Sequence, residues 1–195
     1  MTATMGEMTA TMTTTTETAL PATQEWSIDP AHTQVGFSVK HLMITNVKGR
    51  FTGVSGTVRL DPATSQPDVD VSIEANSITT GDAKRDAHLR SADFLHADQH
   101  PTLQFHATRL DGNVDTKFAL DGELTIRGVT RPVTLYVIAE GRANDPWGNS
   151  KAGYTATTHI SRKDFGLEWN VALEAGGVLV GDDVKITIEA QLVKR

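Results

Sequence analysis

From Trp26 onward the chain alternates apolar and polar positions with a period of two, the repeat of a strand that buries one face. Val35, Phe37 and Val39 interleave with Gln34, Gly36, Ser38 and Lys40, and Val69, Val71, Ile73 and Ala75 with Asp70, Ser72 and Glu74. The rhythm returns in Leu103, Phe105 and Ala107, then in Leu124 and Ile126, and then in Val133, Leu135, Val137 and Ala139. Tyr154, Ala156, Thr158 and Ile160 carry it further, and Val184, Ile186, Ile188, Ala190 and Leu192 end it. A strand from about Phe51 to Leu60 brings the predicted number to eight.

Gly, Pro, Asn and Asp clusters separate these runs: Asp61-Pro62, Asp111-Gly112-Asn113, Asp121-Gly122, Asn144-Asp145-Pro146 and Gly181-Asp182-Asp183. The gaps are too short for crossover helices, so the strands are expected to follow one another antiparallel, up and down. One stretch breaks the alternation. Between strands three and four, Asp82 is placed to N-cap a short helix running to Arg90, with Ala83, Ala87 and Arg90 on one side. A further turn is expected from Ser91 to Leu95, and Pro101 stops any helical continuation. The prediction is an all-β fold, an eight-stranded antiparallel up-and-down barrel with one short helical insertion between strands three and four. A closed sheet of that size is either filled by side chains or holds one ligand. Aromatics make up only 6% of the chain, and so many Val, Ile, Ala and Thr at inward positions lean toward a cavity.

Composition narrows the chemistry. With no cysteine, disulfides, thiolate metal sites and a cysteine nucleophile are excluded. The formal charge is −6, from 18 Lys+Arg and 24 Asp+Glu, and the sequence has no Lys/Arg run, which counts against nucleic-acid binding and a polybasic membrane patch. Residues 1–24 hold ten Thr, no Lys or Arg and no apolar run, and read as a disordered Thr-rich tail ahead of one domain over 25–195. That start does not resemble a secretory signal, and no segment has transmembrane length, so a cytoplasmic location is expected.

Catalytic signatures are lacking. Gly53-Val54-Ser55-Gly56-Thr57 mimics a nucleophile elbow, but its second Gly comes one position early and a strand follows. His96 and His100 stand four apart with His88 and His106 nearby; Pro101 argues against a helix spanning the pair, so these read as surface histidines and no metal is expected. His32, just before the first strand, and His41, ending it, are suited to cap a barrel rim or, alternatively, to contact a ligand's head group there. Arg85-Asp86 and Arg162-Lys163-Asp164 are expected to form ion pairs that pin the helix and a strand end, or to hold a ligand's polar end at a cavity mouth. Alternation nominates Phe37, Val39, Phe51, Ile73, Phe105, Leu124, Val137, Ile160 and Ile186 for the lumen wall.

Several blocks, in order, resemble the YceI-like family. The first is Trp26-Ser27-Ile28-Asp29-Pro30-Ala31-His32 continuing to His41, with Lys48-Gly49-Arg50-Phe51 behind it; the second is Arg85-Asp86-Ala87-His88-Leu89 through Phe94, leading into Pro101 to Phe105. Gly122 to Val133, Ser161-Arg162-Lys163-Asp164-Phe165-Gly166 and Val180-Gly181-Asp182-Asp183-Val184 complete the set. The resemblance implies a lipocalin-like barrel with a helix at one end, whose lumen holds a long amphiphilic lipid such as a polyisoprenoid or isoprenoid quinone. It also places Phe165 and Trp169 near the barrel end. Binding, storage or transport of that lipid is then the expected function. An enzyme acting on an isoprenoid lipid and a stress-related barrel without ligand are the alternatives. No cofactor beyond the lipid is required, and a homodimer is compatible with the sequence. Many relatives are periplasmic, a location that the signal-free start does not carry over.

Overall fold

The computed structural model describes residues 24–60, 67–173 and 178–195; the Thr-rich tail predicted for 1–24 lies outside them except for Gln24. In chain order the strands are β1 (Gln24–Ile28), β2 (Gln34–His41), β3 (Thr45–Phe51), β4 (Val54–Leu60), β5 (Pro67–Glu74), β6 (Ile78–Thr79), β7 (Thr102–Gly112), β8 (Lys117–Ile126), β9 (Val129–Asn144), β10 (Ser150–Ser161) and β11 (Val180–Lys194). One helix, α1 (Ala83–Arg90), lies between β6 and β7.

These eleven strands occupy eight rows, because three rows are creased. β1 and β2 are one row broken at Asp29-Pro30, β3 and β4 one broken at Thr52-Gly53, and β5 and β6 one broken by the single turn Ala75–Ser77. The second and third creases lie side by side and bond to each other, Glu74 N–H to Gly53 O at 2.8 Å and Thr52 N–H to Ser77 Oγ at 3.2 Å. Every ladder is antiparallel, and β11 closes the ring against the first row: Ile186 faces Phe37 on β2, and Leu192 faces Ile28 on β1. The barrel is thus closed, eight-rowed and up-and-down, with one helix at one end. Closure gives every row a paired neighbour on both sides, which removes most of the liability of an open sheet.

The period of two decides the inside. Val35, Phe51, Val69, Ile73, Leu103, Phe105, Leu120, Leu124, Val137 and Ala156 are all buried in one continuous apolar cluster. A smaller cluster, Trp26, Ala152 and Leu192, plugs the end opposite the helix, with the Arg142 guanidinium 5.8 Å over the Trp26 ring.

The helix starts where expected: the Asp82 carboxylate accepts from Lys84 N–H (2.9 Å) and Arg85 N–H (3.1 Å). Its inward face differs. Ala83 and Ala87 are exposed, whereas Asp86 is buried and Leu89 reaches the lumen. A carboxylate can take that place because Thr80 satisfies it, donating from its backbone N–H at 2.8 Å and its hydroxyl at 2.6 Å. The Thr80 hydroxyl holds the Asp86 pKa below the ordinary carboxylate value. The expected Arg85–Asp86 ion pair is replaced by convergence on Thr80, whose hydroxyl and carbonyl also accept from Arg85 at 2.7 and 3.1 Å. Arg127 of the β8–β9 turn ties the helix loop to the barrel by donating to Phe94 O at 3.2 Å.

Candidate functional site, a carbon-lined lumen

The barrel encloses a cavity of about 310 Å³. Its wall is built from the inward side chains of every row, and almost every lining atom is carbon. Two glycines keep it open. A Cβ on Gly49 would lie 2.4 Å from the Phe37 ring, and one on Gly122 would lie 2.5 Å from the Phe105 ring. The far end of each ring therefore occupies the space over a glycine on the neighbouring strand, the arrangement by which aromatics cover strand glycines.

Phe37, Val39, Phe51, Ile73, Phe105, Leu124, Val137, Ile160, Phe165 and Ile186 all line this cavity. Trp169 does not; it packs edge-on against His88 and at a tilt against Phe94, ring centroids 4.7 and 5.3 Å away. Sequence reasoning missed the cover formed by Leu89, Phe94 and Leu95, and the lining residues Leu110, Phe118 and Leu120. The last two are legible in the sequence: Phe118, Leu120, Gly122, Leu124 and Ile126 keep one period of two.

Of the polar rim candidates, only Arg162 touches the lumen. It is almost fully buried, at 4% exposure, beside a defect in the β2–β11 ladder where Val180 pairs with His41 but Val184 already pairs with Val39. Two extra residues bulge from β11 there, and their carbonyls lose strand partners. The Arg162 guanidinium replaces those partners: Nε donates to Gly181 O at 2.9 Å, one terminal nitrogen to Val180 O and the Asp182 carboxylate, and the other to Leu167 O and Trp169 O. All five donors are used, so Arg162 is a fastening of the barrel mouth. Lys163 also reaches Asp182, at 2.8 Å, and is the main reason that this carboxyl titrates below the ordinary value. His32 is exposed and bonds Asp29 at 3.0 Å, outside the lumen, as Arg85 and Asp86 are. His41 ends β2, where its carbonyl accepts from Ile44 N–H at 3.2 Å.

Asp29 organises the crease between β1 and β2. Lys151 and Gln191, from β10 and β11, and His32 each reach its carboxylate at 3.0 Å. The Lys151 ammonium is the chief cause of a pKa lowered to about 2. His88 pairs with Asp93 and His106 with Asp70, and the His96 and His100 rings stand 5.9 Å apart. Among the described residues no group of three or more His or carboxylate side chains is placed to hold a metal ion.

The model of the YceI-like domain matches residues 26–192, from the Trp26 plug to Leu192 of the closing strand. The chain belongs to the YceI-like family. Its curated relatives include UPF0312 proteins from Pseudomonas paraeruginosa, 38% identical over 72% of this chain and 73% of that one, and from Pectobacterium atrosepticum, 35% identical over 91% and 89%. Among solved structures, the YceI protein of Campylobacter jejuni superposes with a TM-score of 0.64 at 30% identity, covering 80% of this chain and 90% of that one. A polyisoprenoid-binding domain from Saccharophagus degradans, implicated in plant cell wall breakdown, superposes at 0.67 with 15% identity, over 87% and 98%. The second likeness shows that the YceI-like barrel is kept where little sequence is shared.

Proposed function

We propose that the protein binds a long, largely hydrocarbon lipid of the polyisoprenoid or isoprenoid-quinone class in its lumen, as a carrier or store. The observation that carries this reading is the lumen itself, a wall almost wholly of carbon in which the rings of Phe37 and Phe105 reach over Gly49 and Gly122. An empty apolar space of this size is unfavourable to leave unfilled and gives water nothing to bond. A hydrocarbon chain gains about 25 cal/mol for each Å² it buries there, so affinity needs few polar contacts. The family membership and the polyisoprenoid-binding domain that shares the fold support the same class of ligand.

A binding role needs no reactive group; at the lumen wall Arg162 spends its donors on backbone carbonyls and the Asp182 carboxylate, and the hydroxyl of Thr33 is bonded to Gln191. The test is organic extraction of the purified protein followed by mass spectrometry. A stoichiometric prenyl lipid is expected. Protein free of lipid that also fails to take up a polyprenol or ubiquinone from detergent solution would overturn the reading.

A further inference from the structure

The β2–β3 hairpin ends in three consecutive apolar residues left exposed among the described residues: Leu42, Met43 and Ile44, at 38%, 58% and 76% exposure. They form the tip of a tight turn in which Leu42 and Met43 both have positive φ, 52° and 60°. Such positions favour Asn and Gly, because a side chain there crowds the backbone. Leu and Met therefore work against the turn, and their placement calls for a role outside it. The tip is held firmly, with Ile44 N–H bonded to His41 O and Leu42 N–H to Leu179 O at 2.8 Å; Leu179 N–H in turn bonds Val171 O, and Val171 is itself 45% exposed.

Behind the tip the strand register assembles a cationic wall. Ser38 on β2 faces Lys185 on one side and Lys48 on the other; Lys40 lies two residues along β2 and Arg50 two residues along β3. All four cations are exposed on the outer face, and among the described residues none of them forms a salt bridge. This stands out in a chain of net charge −6. On the inner face of the same strands, Val39 and Val184 line the lumen beside the ladder defect. The opposite end of the barrel presents Trp147 at 84% exposure, with Asp145 and Asp115 close in its turns, and there Arg59, Arg109, Arg142, Lys151 and Arg195 are each paired with a carboxylate.

The geometry points to the β2–β3 hairpin tip as a membrane-docking element: Leu42, Met43 and Ile44 enter the interface of an anionic bilayer, and Lys40, Lys48, Arg50 and Lys185 hold the adjoining wall against its headgroups. Apolar insertion combined with electrostatic attraction is the usual basis of reversible attachment. Docked in this way, the mouth region beside Val39 and Val184 faces the bilayer from which a lumen lipid is drawn or to which it is returned. The inference rests on the lumen reading for its purpose only; attachment is measured without reference to lumen contents, so either can fail alone.

The experiment is co-sedimentation of the full chain with phosphatidylcholine vesicles made with or without phosphatidylglycerol. Attachment is expected with the anionic vesicles and is expected to weaken as salt rises. Leu42→Asn/Met43→Gly supplies the residues that the turn favours, so its melting temperature should equal or exceed that of wild type while its partition to vesicles falls by at least roughly tenfold. Lys48→Glu/Lys185→Glu should abolish the preference for anionic vesicles. Equal sedimentation of wild type and the tip variant would overturn the inference, as would attachment indifferent to the lysine changes or loss of attachment in Trp147→Ala instead. A dimer by sedimentation equilibrium that disappears in the tip variant, with no vesicle binding by wild type, would assign the tip to a second copy and also overturn it.

Discussion

Replacing Val137 by Trp separates a lumen that holds a ligand from a core that is merely loosely packed. Val137 points inward from β9, between Phe118 on β8 and Ala156 on β10, and the small Ala156 leaves space beside it. The larger side chain takes up the room of about one prenyl unit, roughly five carbons, and at about 0.8 kcal/mol for each buried methylene the ligand loses about 4 kcal/mol of burial. That corresponds to nearly three powers of ten in affinity, at about 1.4 kcal/mol per tenfold. If the lumen is open, the protein itself gives up little. If the interior is packed solid, overpacking costs about 1–3 kcal/mol, and the melting temperature drops by about 2–4 °C per kcal/mol for a chain of this length. The assay pairs prenyl lipid retained per mole, by mass spectrometry of an organic extract, with a thermal melt of the same preparation. Val137→Trp is expected to melt near wild type and to retain far less lipid. A variant that unfolds, from a wild type carrying nothing extractable, would show a filled barrel and refute the reasoning.

Arg162→Lys keeps the charge but cannot supply five N–H groups in a planar fork. With the Gly181 carbonyl left unpartnered and the Val180 carbonyl kept only by Asn170 Nδ2, it should destabilise by about 1–3 kcal/mol, readable as a shift in the urea midpoint. Asp29→Asn loses the attraction of Lys151. The wild-type carboxyl has a folded pKa of about 2 against an ordinary 3.8, so its stabilisation is complete above pH 4 and disappears as pH falls toward 2. The variant should therefore be about 1–2 kcal/mol less stable than wild type at neutral pH, with the gap closing in acid, as followed by melts across that range. Gly122→Ala would set a Cβ 2.5 Å from the Phe105 ring and 2.6 Å from the His106 carbonyl. It should push the ring into the lumen, lowering lipid retention and costing about 1–3 kcal/mol in the same assays.

The alternation of apolar and polar residues was enough to predict the number of strand rows, their antiparallel order and most of the wall, because in a closed sheet every strand repeats one local rule, side chains pointing alternately in and out. Val69 to Ile73, Tyr154 to Ile160 and Val184 to Leu192 each name their inward face with no knowledge of their neighbours. The Asp82 cap was equally local. The creases that split three rows were not read from the chain, since Asp29-Pro30 and Thr52-Gly53 show only that pairing is interrupted and not what bonds across the gap.

Polar residues were the least legible, because their roles depend on partners far away in sequence. Arg162 does sit at the mouth and pair with Asp182, yet most of its donors fill a defect that exists only once β11 is laid against β2. Asp86 looked like a rim carboxylate and is a buried acceptor for Thr80. The absence of any Lys/Arg run counted against a membrane patch, yet Lys40, Lys48, Arg50 and Lys185 come from three strands and meet only through their register. Period two, being a property of each strand alone, is written in the sequence. The ladder defect, the glycine-backed rings and the cationic wall are properties of strand pairs, which only the closed barrel brings together.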